Sequence, residues 1–235
     1  MSQNSLSSSK MTFYVTRVAM LVAVATPLMM FDFPIPIFPG FYKFDLSYFP
    51  VVISTFSMGP IAGIITALLK NLIAFLLAGT FTDSAGIGAL ADTLIGLSFI
   101  LPAGMIYRYK FAPAIHIKKT VEESVYKYEL QKISFFKQKQ RTKKSAVVAM
   151  VVSLIAVTIF SCAFNYWFLI PTYSKFFGFD AVLGMAQSAC KYVKDIKGII
   201  VLGTLPFNFL KWLIISILTV LTYKPLSKTI LKKPK

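Results

Sequence analysis

An asparagine and a lysine three positions apart, Asn208 and Lys211, lie within an apolar stretch of the sequence long enough to cross a lipid bilayer. A cation at that depth costs at least ~2.5 kcal/mol to insert, so it normally faces a partner, a cavity or a functional site. Residues three apart share one helix face, and an amide beside an ammonium offers donors and an acceptor. The pair can therefore hold a polar small molecule. Alternatively, Lys211 extends toward the membrane surface or satisfies a neighbouring carbonyl group.

The composition is typical of a membrane protein rather than a soluble domain. Of the 235 residues, 56% are hydrophobic and 14% are charged, whereas about a quarter of the residues in a soluble domain are charged. The apolar runs are continuous and lack the alternation of a transmembrane β-strand. We therefore predict an all-α integral membrane protein without a separate catalytic domain.

Six apolar segments are expected to form a bundle of six transmembrane helices. A Ser-rich segment, residues 1–10, is expected to be a disordered tail, residues 11–225 to form the membrane domain, and residues 226–235 to be a basic tail. The predicted spans are approximately 12–30, 48–57, 61–77, 89–107, 146–170 and 199–223.

The charge distribution predicts the orientation of the bundle. The formal net charge is +16, and most Lys and Arg residues lie in the tails and in the loop 108–144. Basic segments next to membrane helices are typically cytoplasmic, so we expect both termini and this loop inside the cell, in contact with lipid rather than nucleic acid. Asn165 and Asn208 then both lie in the outer half of the membrane, which predicts a polar site open to the outside.

A loop rich in proline and aromatic residues follows the first span. Three prolines and a glycine within residues 33–40 exclude a regular helix and predict an extended, bent loop. Phe38, Phe41 and Tyr42 give this loop several aromatic rings. It is either an aromatic belt at the membrane surface or a lid over a flat ligand.

The sequence gives little support for catalysis. It contains no GxxxxGK[ST], HExxH or GxSxG motif, and Cys162, Cys190 and His116 form no metal-binding pattern. Asp92 is the best-placed carboxylate, and we interpret it as an acid favoured by the dipole at a helix start. We therefore expect neither an enzyme, a resident cofactor nor a metal site.

Several motifs, in this order and spacing, resemble the substrate-binding S-components of energy-coupling factor (ECF) vitamin importers, particularly the riboflavin-binding members. The motifs are Phe41-Tyr-Lys-Phe-Asp-Leu-Ser47, Gly59-Pro-Ile-Ala-Gly63, Leu69-Lys-Asn-Leu-Ile73, Asn165-Tyr-Trp-Phe-Leu-Ile-Pro-Thr-Tyr173 and Pro206-Phe-Asn-Phe-Leu-Lys211. The resemblance implies a protein of the bacterial plasma membrane that captures riboflavin from outside. It also implies three partner subunits, a membrane scaffold and two ATPases. The substrate contacts that it implies are Asn165, Asn208 and Lys211. Phe41, Lys43 and Asp45 of the loop are further candidate substrate contacts.

A pair of small residues in the first span, Ala19 and Ala23, allows another helix to approach closely. The approaching helix can belong to this chain or to a partner, and the residues alone do not separate these alternatives. The resemblance implies that the pair contacts the scaffold subunit.

Two features depart from the family pattern. Gly88-Ala-Leu-Ala-Asp92 stands where a Gly-Glu-Leu-Ala-Asn-like run is expected, and the loop 108–144 is longer than usual. Lys70 lies within a span but has no ligand contact that the resemblance assigns. Alternative functions are an S-component for another vitamin or a flavin nucleotide, or a membrane enzyme or assembly protein whose polar residues are structural.

Overall fold

The computed structural model describes residues 3–77, 86–111, 136–138 and 143–230, and most of these residues are helical. The long helices are α1 (Gln3–Met30), α2 (Tyr48–Met58), α3 (Pro60–Leu77), α4 (Ile87–Arg108), α5 (Lys143–Phe164) and α9 (Leu205–Ile230). Short helices α6 (Ile170–Phe177), α7 (Phe179–Ala189) and α8 (Ile196–Gly198) lie between α5 and α9. This architecture confirms the prediction of an all-α membrane fold.

Five helical segments in the described ranges are long and apolar enough to cross a membrane. They are Met11–Met30, Pro60–Leu77, Ile87–Arg108, Lys144–Phe177 and Ile196–Thr222. Two of them include π-helical turns, Asn165–Leu169 after α5 and Ile199–Thr204 before α9.

The second of the six predicted spans, α2, is too short to cross a bilayer by itself. Its 11 residues rise only ~16 Å, about half the thickness of a hydrocarbon core. Gly59 ends the helix at φ 118°, where its N–H donates to the Thr55 carbonyl, and Pro60 begins α3 directly. A Cβ atom at Gly59 would also lie 2.2 Å from the Arg108 guanidinium. All six predicted helices are thus present, but α2 is a buried core helix.

The core forms where α2, α4 and α9 meet. The Trp212 ring stacks on Phe99 at 4.4 Å between centroids and tilts against Tyr48 at 4.9 Å. All three side chains are fully buried. The Tyr48 ring packs directly over Gly96, where an added Cβ would lie 2.0 Å from the tyrosine oxygen. This packing fixes α4 and α9 against α2 just below the polar residues of the site.

The tails differ in part from expectation. Helix α1 begins at Gln3, so the segment 1–10, expected to be disordered, has helical backbone where it is described. Each added residue gains a hydrogen bond at small cost once a helix exists, so the apolar span can extend into polar sequence. Helix α9 likewise continues to Ile230, within the predicted tail 226–235. Most of the loop 108–144 lies outside the described residues, apart from the paired strands β3 (Tyr109–Phe111) and β4 (Phe136–Gln138) and the start of α5.

The loop between α1 and α2 folds back over one end of the bundle. Its two short strands, β1 (Phe33–Pro34) and β2 (Lys43–Phe44), pair antiparallel. Phe38 and Tyr42 are buried against Phe207 of α9, with ring centroids 5.4 and 5.1 Å away. The aromatic loop is therefore a cover packed on the bundle.

Candidate ligand-binding cavity

A cavity of about 760 Å³ lies beneath the aromatic loop. Its wall comes from that loop, the ends of α1 and α3, the starts of α4 and α9, and the segment from the Asn165 π-turn through α7. Small-molecule sites commonly have volumes of ~300–1,000 Å³. All six candidate substrate contacts line this cavity: Asn165, Asn208, Lys211, Phe41, Lys43 and Asp45.

Two π-helical turns place polar residues at the cavity. The Ile170 N–H bonds to the Asn165 carbonyl, and the Leu205 N–H bonds to the Ile200 carbonyl, each spanning five residues rather than four. A proline, Pro171 or Pro206, follows each donor and has no N–H to continue the hydrogen-bond ladder. Single π-turns often lie at functional sites. Here they bring Asn165 and the region before Asn208 to the same wall.

Tyr42 joins these two turns. Its hydroxyl lies 3.1 Å from Asn165 Oδ1 and 2.5 Å from Thr204 Oγ1, while Asn165 Nδ2 donates to the Ser161 carbonyl at 2.8 Å. The Tyr42 ring stacks on Phe207 at an interplanar angle of 19°. Burial of the hydroxyl raises the pKa of Tyr42, so this group stays neutral. The loop is thereby tied by hydrogen bonds to the wall that carries Asn165.

Asn208 is oriented by its own helix. It is 5% exposed, and its Nδ2 donates to the Thr204 carbonyl at 3.0 Å. No described residue donates a hydrogen bond to its Oδ1 atom. An amide held in this way presents an acceptor toward a ligand in the cavity.

Four charged side chains, three of them buried and Asp92 partly buried, form a continuous network beside the asparagines. Lys211 Nζ lies 2.6 Å from Asp45 Oδ2 and 3.8 Å from Asp92 Oδ1. Lys70 Nζ lies 2.9 Å from Asp92 Oδ2 and donates to Asn71 Oδ1 at 2.9 Å. Both ammonium groups also lie over the Tyr48 ring, at 4.0 Å for Lys70 and 6.0 Å for Lys211. Each cation thus has a carboxylate partner and an aromatic face.

The network corrects two interpretations made from the sequence. Asp92 lies beyond the first turn of α4, and its ion pairs with Lys70 and Lys211 explain it better than a helix dipole does. Lys70, which has no contact implied by the resemblance, is 0% exposed and belongs to the same network. A lysine within a span is costly wherever it occurs, so Lys70, like Lys211, is expected to have a partner or a function.

The Asp45 carboxylate is held ionised at the cavity wall. Burial by itself would raise its pKa, but the charges of Lys211 and Lys70 and hydrogen bonds from Lys211 and Ser47 lower the pKa to about 2. The Ser47 backbone N–H donates to Asp45 Oδ1 at 2.8 Å, and the Ser47 hydroxyl contacts the same oxygen. Its own loop thus holds Asp45 Oδ1, while Oδ2 pairs with Lys211.

Two of the candidate contacts, Lys43 and Phe41, are less buried than the others. Lys43 is largely exposed, and its Nζ lies 3.4 Å from Asp32 Oδ2. Phe41 is half-buried, with its ring edge-on to Tyr42 at 4.5 Å and to Tyr173 at 6.5 Å. Among the described residues, no cluster of His, Cys, Asp or Glu side chains could hold a metal ion. The chemistry of the cavity is therefore that of hydrogen bonding, charge and aromatic contact.

Known transport proteins share both the sequence pattern and this fold. A family model described as "ECF transporter, substrate-specific component" matches residues 13–117 and 126–223. This chain belongs to that family. As an S-component it is a transport subunit rather than an enzyme, and it is a multi-pass protein of the bacterial cell membrane.

Named relatives of this S-component are riboflavin transporters. The chain is 32% identical over 210 residues to riboflavin transporter RibU of Staphylococcus aureus, covering 89% of this chain and 88% of the relative. It is 26% identical over 200 residues to riboflavin transporter FmnP of Bacillus subtilis, covering 85% and 84%. A solved S component of a bacterial ECF transporter superposes with a TM-score of 0.61 at 29% identity, covering 93% of this chain and 98% of the other.

Sequence reasoning missed several residues of the S-component cavity. Tyr42, Asp92 and Trp212 line it but were not among the implied contacts, and Lys70 lies behind Asp92. Tyr42 lies inside the Phe41–Ser47 motif, so the sequence could have indicated it as a cavity residue. Asp92 and Lys70 gave a second signal, since opposite charges in neighbouring spans commonly pair.

Proposed function

We propose that this S-component captures riboflavin from outside the cell and delivers it for ATP-driven uptake. The observation that carries the proposal is the convergence of Asn165, Asn208 and Lys211 on one cavity of suitable size. A largely apolar pocket with a few placed polar groups is the usual arrangement for binding a small molecule. The names of the relatives support riboflavin as that molecule.

The cavity provides a contact for each part of riboflavin. The flat isoalloxazine ring can lie against the rings of Phe41, Tyr42 and Phe207, which line the wall. The ring's polar edge carries carbonyl groups and an N–H, which match the Asn208 acceptor and the ammonium donors of Lys211. The ribityl hydroxyls can exchange hydrogen bonds with Asn165. The Tyr42–Asn165 bond then rearranges or is shared when the ligand enters.

The alternatives have less support. Another vitamin would need other polar contacts, whereas the named relatives are riboflavin transporters. A flavin nucleotide would bring phosphate charge into a cavity whose described cations are already paired with carboxylates. A membrane enzyme or an assembly protein would leave the convergence of the three polar residues without a ligand to explain it.

We also propose that the chain works with a membrane scaffold subunit and two ATPase subunits. Ala19 and Ala23 are both exposed on α1, while Val18 and Val22 of the same helix are buried within the bundle. A pair of small exposed residues four apart leaves a shallow groove into which a partner helix can pack. This placement supports contact with the scaffold rather than packing within the chain.

Fluorescence titration tests the proposed ligand. Riboflavin fluorescence should be quenched as the purified chain is added at micromolar concentration, and the protein purified from cells should carry a yellow chromophore. A matched control is Gln187→Ala, which removes an exposed amide of α7 outside the cavity wall and should leave binding unchanged. A colourless protein that quenches no riboflavin fluorescence would overturn the proposal.

A further inference from the structure

The charges of the described residues around the cavity of this S-component balance. Among the described residues at its wall, Lys43 pairs with Asp32 at 3.4 Å and Lys211 pairs with Asp45 at 2.6 Å. Asp92 also lines the cavity, and its partner Lys70 lies behind it at 2.9 Å. Within the part of the chain that the structure describes, three cations therefore pair with three carboxylates around the cavity.

Asp92 has a special position in this balance. Its side chain is 20% exposed, whereas Lys70 is fully buried and Lys211 is nearly so. Its two oxygens face different lysines, with Oδ2 at 2.9 Å from Lys70 and Oδ1 at 3.8 Å from Lys211. Asp92 is the carboxylate that links the two intramembrane cations while contacting the cavity.

We propose that Asp92 is a specificity-determining residue, whose carboxylate keeps the cavity neutral and so favours an uncharged ligand over its phosphorylated form. This inference rests on the proposed function, because it concerns how the same cavity discriminates between flavins. Riboflavin has no charge, whereas a phosphate monoester carries about two negative charges at neutral pH. In a wall with little water, charge interactions are screened far less than at a surface.

The ion pairs determine whether Asp92 strengthens or weakens the binding of an anionic ligand. An anionic ligand gains little from Lys70 or Lys211 while each already has a carboxylate partner, and it is repelled by Asp92 itself. Removing the Asp92 charge would leave an uncompensated cation next to the cavity, which an anion can then neutralise. The sequence difference at this position, aspartate where the family pattern suggests asparagine, is therefore a difference of one charge in the cavity wall.

A purely structural role for Asp92 makes a different prediction. Lys70 is on α3 and Asp92 on α4, so their ion pair also holds these helices together. If that were its whole role, removing either group would weaken the binding of all flavins by the same factor. The ratio of two dissociation constants separates the two roles, because a general loss of structure cancels from it.

The test is titration of the purified full chain with riboflavin and with flavin mononucleotide (FMN). The quantity measured is the dissociation constant for FMN divided by that for riboflavin. Asp92→Asn should lower this ratio at least ten-fold, which is about 1.4 kcal/mol of discrimination. Lys70→Met should raise the ratio, because it leaves the Asp92 carboxylate uncompensated. The double variant Lys70→Met with Asp92→Asn is neutral again and should return to within about three-fold of the wild-type ratio.

The outcomes distinguish this inference from the proposed function. Asp92→Glu keeps the charge and serves as the matched control, with a ratio near that of the wild type. An unchanged ratio in both Asp92→Asn and Lys70→Met overturns the specificity role while leaving riboflavin capture intact. Wild-type protein that binds no riboflavin overturns the proposed function and the inference with it. If Asp92→Asn does not fold, Lys70→Met alone tests the inference: a raised ratio supports it, and an unchanged or lowered ratio overturns it.

Discussion

The ammonium of Lys211 lies 2.6 Å from Asp45 Oδ2, although 166 positions separate the two residues in the sequence. Lys211 belongs to α9, and Asp45 lies in the loop between β2 and α2. Their ion pair therefore links the last long helix to the loop that covers the cavity. Both side chains are less than a tenth exposed, so each charge depends on the other for compensation.

The pair makes Lys211→Met a destabilising change. From the sequence alone, loss of an intramembrane cation is expected to leave the fold intact or slightly more stable, but Asp45 reverses this expectation. Breaking a buried pair by removing one partner usually costs ~3–5 kcal/mol, because the other charge is left uncompensated. Lys211→Met should lower both riboflavin affinity and the thermal unfolding temperature in detergent.

The double variant Lys211→Met with Asp45→Asn provides the check on this reason. It removes both charges and should recover much of the lost stability, although not the affinity. Lys175→Met, which removes an exposed lysine of α6, is the matched control and should change neither quantity. A double variant less stable than Lys211→Met would show that the pair is not the cause.

The same pair predicts how stability depends on pH. The pKa of Asp45 is lowered to about 2 in the folded protein, against ~3.9 in an unfolded chain. This carboxylate therefore contributes stability above about pH 4, of the order of 2 kcal/mol, and the contribution is lost as the pH falls toward 2. Thermal unfolding of wild type and Asp45→Asn across pH 2–6 is the measurement. The wild type should lose more stability than the variant as the pH falls, and parallel curves would contradict the assignment to Asp45.

Much of the cavity could be predicted from sequence because topology limits the choices. The fifth span ends, and the sixth begins, on the same side of the membrane, so Asn165 and Asn208 had to lie at a common end of the bundle. The order of the motifs then indicated which loop residues join them. The position of Lys211 followed from Asn208, since residues three apart share a helix face.

The remaining contacts depend on packing that a single sequence does not show. The pairing of Lys70 with Asp92 requires the register between α3 and α4, and Tyr48 of α2 contacts both helices through the Lys70 ammonium and Gly96. The π-turn at Asn165 lies just before Pro171. A proline in a span can produce either a kink or a π-turn, so the sequence does not predict which one forms. The short length of α2 was visible in the sequence, yet its burial at the centre was not.

The two asparagines should each contribute to riboflavin affinity. Removing one partner of a buried hydrogen bond usually costs ~1–3 kcal/mol, and ~1.4 kcal/mol corresponds to ten-fold in affinity. Asn165→Ala and Asn208→Ala should therefore weaken binding by about ten-fold to a hundred-fold, measured by fluorescence titration. Gln187→Ala serves as the control amide. Wild-type affinity in both asparagine variants would show that riboflavin does not bind against this wall.

The orientation in the membrane remains a prediction that labelling can test. Cysteines can be introduced at Ser134, in the basic loop outside the described residues, and at Lys175, which is exposed on α6. Native Cys162 and Cys190 are partly accessible and should first be changed to serine. A membrane-impermeant thiol reagent applied to intact cells should label Lys175→Cys and not Ser134→Cys. The reverse pattern would place the termini and the basic loop outside.

The last prediction concerns the exposed pair on α1. Replacing Ala19 and Ala23 together with leucine fills the groove that a partner helix would enter. Because both positions are exposed, whereas Val18 and Val22 pack inside the bundle, the added side chains should not disturb the cavity. Riboflavin uptake by cells should fall several-fold while the purified variant binds riboflavin as the wild type does.

A matched control separates docking from general effects of enlarging a lipid-facing surface. Val147 and Val151 are exposed on α5, at 45% and 50%, with the same four-residue spacing. Val147→Leu with Val151→Leu should leave both uptake and binding unchanged. If the alanine variant lost binding as well as uptake, the pair would support the fold itself. If both variants lost uptake equally while binding was retained, the groove on α1 would have no specific role, because any bulk added to the lipid-facing surface would then impair transport.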